Sequence, residues 1–130
     1  ISVKFRTRKW ISDKDLNSNG TLFGGRLLDW IDEEAYIYCA CQLDNDIIVT
    51  RSMSKIDFMA SARKGAIVEI GMETVRFGYS SITIRCEVRN KRSGKIITKV
   101  DEITFVNLNG HGKPAPHGKG KTWLRKKDSS

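Results

Sequence analysis

At 130 residues, 39% apolar and 29% charged, the chain fits one domain able to bury roughly two thirds of its unfolded surface, and no apolar run approaches the roughly 20 residues that span a bilayer. Three cysteines without CxxC spacing, and two histidines far from them at His111 and His117, argue against a disulfide framework and against a zinc site. The net charge of +8 raises a polyanion such as nucleic acid as a partner. Much of it, however, lies in Lys113, Lys119, Lys121, Arg125, Lys126 and Lys127 against Asp128 alone, the composition of a flexible basic tail.

The first residues, Ile1-Ser2-Val3-Lys4-Phe5, contain no apolar segment with a cleavage site, so no secretory signal is expected, and the lack of an initiating Met fits a trimmed or incomplete N terminus. Residues 3–11 alternate loosely and carry Lys4, Arg6, Arg8 and Lys9, which predicts a first strand with a basic face near a sheet edge. Residues 12–21 are polar, with Asp, Asn and Gly, and predict a loop. Residues 22–43 place Leu27, Leu28, Ile31, Ala35, Tyr38 and Cys39 at helical spacing. Such a helix runs roughly 30 Å, most of the width of a small domain.

Asp44-Asn45-Asp46 ends the helix, and four β-branched stretches follow at 47–58, 66–75, 80–90 and 95–108. Ala66, Val68, Ile70 and Met72 share one face, as do Ile82, Ile84, Cys86 and Val88, while Gly78 and Gly94 mark hairpin turns. The order is strand, long helix, four strands. An antiparallel sheet of five strands curled around the helix buries it most economically, an α+β arrangement over residues 1–109 with a basic tail at 110–130. A free sheet edge in that layout invites pairing with a second copy.

The stretch from Asn17 to Asp32 carries the chemistry. Gly24 and Gly25 open the helix, where unpaired N–H groups and the helix dipole favour a developing negative oxygen, the makings of an oxyanion site. Asn17 offers a side-chain amide on the preceding loop, and Asp32 follows eight residues after Gly24. Eight residues of helix advance about 12 Å and turn about 80°. One helix therefore cannot bring both groups to one carbonyl, and the spacing predicts a site shared between two copies. Asp57, beside Lys55 in a strand, reads as structural; Met53, Met59 and Met72 read as core filler or pocket lining.

The run Asn-x-x-Gly-x-x-Phe-Gly-Gly-x-x-Leu-x-x-x-Asp, formed by Asn17, Gly20, Phe23, Gly24, Gly25, Leu28 and Asp32, resembles the hotdog-fold acyl-CoA thioesterases of the cytosolic acyl-CoA hydrolase type. The stretches 50–58, 78–82 and 102–106 resemble that family's strands, so the likeness runs from about Lys4 to Asn109. The resemblance implies a hotdog fold and cytoplasmic hydrolysis of fatty acyl-CoA to free acid and CoA. It implies Asp32 as the catalytic carboxylate, either general base or nucleophile, and Asn17 as the amide that positions water or thioester. Neither metal nor cofactor is implied, CoA being part of the substrate. Arg76, Ser80 and Ser81 match the family's CoA-contacting positions, with Arg63 and Lys64 as further phosphate contacts.

A homodimer is the implied minimal unit, extended to a tetramer or hexamer, with neither nucleic acid nor membrane as partner. Phe58-Met59-Ala60-Ser61-Ala62 lacks the Pro that relatives carry there, and the stretch after Leu108 matches nothing in the family. A non-catalytic hotdog that senses or carries acyl-CoA is the alternative. A hotdog dehydratase needs a histidine in its site, and both histidines here lie in the tail.

Overall fold

The long helix α1 (Gly24–Leu43) lies across one face of an antiparallel sheet made by β1 (Lys4–Trp10), β2 (Ile48–Met53), β3 (Ile56–Phe58), β4 (Ile67–Phe77), β5 (Ser81–Asn90) and β6 (Ile96–Asn107). The computed structural model describes residues 3–120. Strand order is β1-β4-β5-β6-β2, with β3 also paired to β6. The sheet wraps the helix in the expected hotdog arrangement.

Leu27, Ile31, Ala35, Cys39 and Leu43 form the buried stripe of α1 at i, i+4 spacing. They form one core with Val68, Ile70, Met72, Ile82, Ile84, Cys86, Val88, Val100, Ile103 and Phe105 of β4, β5 and β6. Each fully buried Leu or Ile contributes about 1.5–3 kcal/mol, so this interface dominates stability. Helix residues 22 and 23 stay outside because Phe23 is extended (φ −70°, ψ 129°) and acts as N-cap. At the other end Asp44 adopts the left-handed conformation (φ 53°) and returns its N–H to the Ala40 carbonyl.

Six strands stand where five are expected. The stretch 47–58 is broken at Ser54-Lys55, so that β2 pairs with Ile103–Asn107 of β6 and β3 with Thr98–Val100. The break has a local cause: Ser54 N–H donates to the Glu102 carbonyl (2.8 Å) and Ser54 Oγ accepts from the Glu102 N–H (3.0 Å), fixing the bend between the two short strands. The expected loop at 12–21 contains a 3-10 turn at Asp13–Asp15.

The outer sheet face is a ladder of charges. Buried Glu69 accepts from Arg8 (3.1 Å) and Arg89 (3.0 Å), and the Arg89 guanidinium stacks 3.7 Å over Phe5. Gly71 makes room for this layer, since a Cβ there would meet Phe5 at 2.9 Å. The segment expected to be a flexible tail begins at 110. Its first residues cross the ends of the strands: Ala115 N–H donates to the Asn107 carbonyl, His117 Nε2 contacts the Ser81 carbonyl at 2.8 Å, and its ring meets Phe77 edge-on. Residues 121–130, which hold Lys121, Arg125, Lys126 and Lys127, lie outside the described residues.

Candidate active site

The loop entering α1 is organised around a carboxylate. Asp15, 3% exposed, accepts hydrogen bonds from Ser12 N–H (2.9 Å) and Ser12 Oγ (3.1 Å) and lies 3.3 Å from Arg26 Nε, while its carbonyl accepts from Phe23 N–H (2.8 Å). One residue thereby ties the end of β1 to both the N-cap and the first turn of the helix.

Within that loop Asn17 Oδ1 accepts from the N–H groups of Asn19 (2.9 Å) and Thr21 (3.1 Å), and Asn17 Nδ2 lies 3.1 Å from Thr21 Oγ1. Gly20 closes the turn at φ 78°, a conformation that favours glycine. Thr21 bridges to Arg63, and Leu22 N–H donates to the Ala62 carbonyl, so the loop is pinned to the segment before β4. The loop that carries Asn17 thus leads into the glycine pair at the start of α1.

Among the described residues no side chain caps the N terminus of α1. Its first-turn N–H groups, which other helices satisfy with Ser, Thr or Asp, keep their positive character here. A Cβ on Gly24 would meet only the Phe58 ring at 3.8 Å, whereas one on Gly25 would lie 2.6 Å from the Phe23 ring. Gly25 therefore lets Phe23 fold over the helix start. Phe23, Phe58 and Met59 all remain more than half exposed around it.

Asp32 lies two turns along the same helix. In the single chain it is exposed rather than on the buried face, because the core stripe passes through Ile31 and Ala35 and leaves Asp32 turned toward β2. There its Oδ1 accepts a hydrogen bond from Thr50 Oγ1 (3.2 Å). Thr50 can reach it because its register partner is core Phe105, which puts it on the helix side of the sheet. Asn17 and Asp32 belong to different ends of this arrangement. β2, which carries Thr50, is one of the two edge strands of the sheet, β1 being the other.

The proposed CoA contacts divide. Arg76 is held by Glu102 (2.8 Å), which raises the guanidinium pKa and lowers that of the carboxyl. Lys64 pairs with Asp13 (2.9 Å). Ser80 and Ser81 form the β4–β5 turn and engage through their carbonyls, Ser80 with Asn107 N–H and Ser81 with Gly78 N–H. Only Arg63 among these cations has no ion-pair partner among the described residues, and it adjoins the Asn17 loop through Thr21.

Asp57 pairs with Lys55 (3.3 Å) on β3. Met72 is core, Met53 packs against the core, and Met59 is exposed. Trp30 packs against the core and Tyr36 donates to the Asp46 carbonyl. Sequence reasoning missed Asp15, Thr50 and Glu102. The Ser12-x-x-Asp15 spacing of a capping box was the one legible signal among them.

All three cysteines are free. Burial pushes the Cys39 thiol up to about 12, and burial with the charges of Glu87 and Glu34 does the same to Cys86. Among the described residues no group of three His, Cys, Asp or Glu side chains is placed to hold a metal ion, and no helix is long and apolar enough to cross a membrane.

The family model of the Thioesterase superfamily matches residues 19–97. An uncharacterized acyl-CoA thioester hydrolase, YkhA of Bacillus subtilis, is 30% identical over 105 residues, 78% of this chain but 60% of the relative. A second, from Buchnera aphidicola subsp. Baizongia pistaciae, is 30% identical over 106 residues, covering 77% of this chain and 78% of the relative. Among solved structures, the hexameric thioesterase y2039 of Yersinia pestis superposes with a TM-score of 0.81 at 27% identity, over 90% of this chain and 97% of that one.

Proposed function

The chain belongs to the Thioesterase superfamily, and from that premise we propose that it hydrolyses fatty acyl-CoA to the free acid and CoA with Asp32 as the catalytic carboxylate. The observation that carries this reading is one helix with an uncapped, glycine-opened N terminus and, eight residues on, a solvent-facing carboxylate held by the Thr50 hydroxyl. The similar proteins from Bacillus and Buchnera bear acyl-CoA thioester hydrolase names, which supports the substrate class.

In the proposed reaction Asp32 takes a proton from water as the oxygen attacks the thioester carbonyl. The resulting oxyanion sits at the first-turn N–H groups of Gly24 and Gly25, and Asn17 orients the water or the thioester. Collapse breaks the carbon–sulfur bond, and the proton held by Asp32 returns to the departing thiolate. Direct attack by Asp32, with an acyl anhydride intermediate, is the other route open to an ionised carboxylate. The thioester carbonyl is weakly resonance-stabilised, so neither route calls on a cofactor.

About 12 Å of helix separates Gly24 from Asp32. The oxyanion site and the carboxylate therefore come from two copies of the chain. Of the two sheet edges, β1 and β2, the β2 edge, where Thr50 holds Asp32, is the side on which a second copy completes the site. The Yersinia protein is hexameric, which supports assembly of dimers into a larger homo-oligomer here. Arg63, without an ion-pair partner among the described residues and beside the Asn17 loop, is the best placed of the candidate cations for a CoA phosphate; Arg76 and Lys64 already have partners.

Thiol release from acyl-CoA thioesters of graded chain length tests the reading. Asp32→Ala is expected to lower kcat by about 10²–10⁴, while binding of acyl-CoA and the melting temperature stay close to wild type because Asp32 is exposed. A wild-type protein that binds acyl-CoA and never releases thiol is a sensor or carrier, and the proposal fails.

A further inference from the structure

On the face of α1 turned away from Asp32, the helix, β1 and β4 enclose a cleft of ≈ 450 Å³, within the size range of small-molecule sites. Ile37, Ile70 and Met72 supply its apolar surface, and Ile37 is left 46% exposed. Within its walls Thr7 Oγ1 donates to Glu34 Oε2 (2.7 Å), and Tyr38 shares a hydrogen bond with Thr74 (2.8 Å).

The mouth is built by an irregularity in β1. Lys4 pairs with Met72 and Thr7 with Ile70, three residues on β1 against two on β4, so the strand carries a bulge between Phe5 and Thr7. Simple alternation from Lys4 would send Thr7 to the outer face; the extra residue returns it to the helix side, where it meets Glu34. Lys4 and Arg6 both line the cleft, and neither has an ion-pair partner among the described residues. Of the acidic lining residues, Glu34 accepts from Thr7 and Glu73 Oε1 is paired with Arg85, while Glu73 Oε2 is buried without a hydrogen-bond partner among the described residues.

We propose that this cleft is a second ligand site, for a long-chain aliphatic carboxylate taken up as the monomer, with the chain on Ile37, Ile70 and Met72 and the head group on Lys4 and Arg6. An apolar strip with two uncommitted cations at its edge matches one charge and one chain, and the cleft uses none of the groups assigned to hydrolysis. The inference therefore stands or falls apart from the proposed reaction.

Cys41 supplies a local readout. It lines the cleft and is exposed, whereas Cys39 and Cys86, the other two cysteines of the chain, are buried. The rate of Cys41 alkylation by a maleimide is measured on the full chain with sodium dodecanoate below its micelle concentration, and with sodium butyrate as control. Dodecanoate is expected to slow alkylation about tenfold or more, butyrate not at all, and the double substitution Lys4→Ala, Arg6→Ala to raise the half-protecting dodecanoate concentration about tenfold at an unchanged melting temperature.

Asp32→Ala is expected to keep the protection, and loss of thiol release in wild type with protection intact would fault the proposed reaction alone. The site is refuted if dodecanoate leaves the rate unchanged, if butyrate protects equally, or if the double variant keeps the wild-type half-protecting concentration. It is refuted equally if Cys41 resists alkylation in the native protein but reacts once unfolded, since the cleft is then closed.

Discussion

Replacing Asp15 by Asn keeps the side chain's shape and removes its charge, which isolates what the buried carboxylate does for the loop that enters α1. In the wild type it accepts from Ser12 N–H at 2.9 Å and Ser12 Oγ at 3.1 Å, with Arg26 Nε at 3.3 Å. A hydrogen bond to a charged group contributes about 1.5–3 kcal/mol, whereas the Arg26 side chain, 40% exposed, turns to water and contributes only about 0–1 kcal/mol. Asn retains one acceptor for Ser12, and its NH₂ then faces the Arg26 guanidinium, which can only donate.

The expected cost is about 2 kcal/mol, a fall of roughly 5–10 °C in melting temperature at fixed protein concentration. The Asp15 carbonyl also receives Phe23 N–H, so a loosened loop displaces the helix start, and thiol release should fall about ten- to a hundredfold through misplacement. Melting curves and acyl-CoA turnover on one preparation test both limbs. Wild-type values in both would refute Asp15 as the organiser of the loop.

Thr50→Val removes the hydroxyl on Asp32 Oδ1; stability should move by less than about 0.5 kcal/mol because the pair is exposed, while kcat for thiol release drops about three- to tenfold and Thr50→Ser restores it. Equal turnover in Val and wild type would remove Thr50 from the positioning of Asp32. For Glu69, burial acts to raise the carboxyl pKa, but the hydrogen bonds from Arg8 and Arg89 and the charges of Arg89 and Lys91 outweigh it and lower the value below 4.5. The folded state then binds fewer protons than the unfolded one, so the stabilisation is present above pH 4.5 and is lost as pH falls through the folded-state value. Urea midpoints of wild type and Glu69→Gln should differ by a constant amount from about pH 7 to about pH 5 and converge below that; a gap that persists to low pH would contradict the ion-pair account.

The elements that were legible in the sequence are those written in local spacing. The stripe from Leu27 to Leu43, the alternation of Val68, Ile70 and Met72 against Ile82, Ile84 and Cys86, and the turns at Gly78 and Gly94 all declare themselves within a few residues. What escaped depends on contacts across the sheet. The break at Ser54-Lys55 exists because Glu102 faces it, and the same Glu102 pairs with Arg76. Thr50 meets Asp32 only because the sheet curls β2 beside α1. The bulge after Phe5 leaves no periodic signature, yet it decides which β1 residues face the helix. Asp15 read as one acid in a polar loop; its burial follows from how the loop folds back on Ser12 and Arg26.

In the proposed reaction Asp32 of one copy works with Asn17 and the helix start of another, and mixing two inactive variants tests that pairing. Asn17→Ala and Asp32→Ala proteins, each without significant thiol release alone, are unfolded together in equal amounts and refolded. Random pairing gives half mixed dimers, each with one intact site and one doubly defective, so about a quarter of wild-type activity per chain should return. Activity that stays at the level of the separate variants would contradict a shared site and place the whole chemistry within one chain.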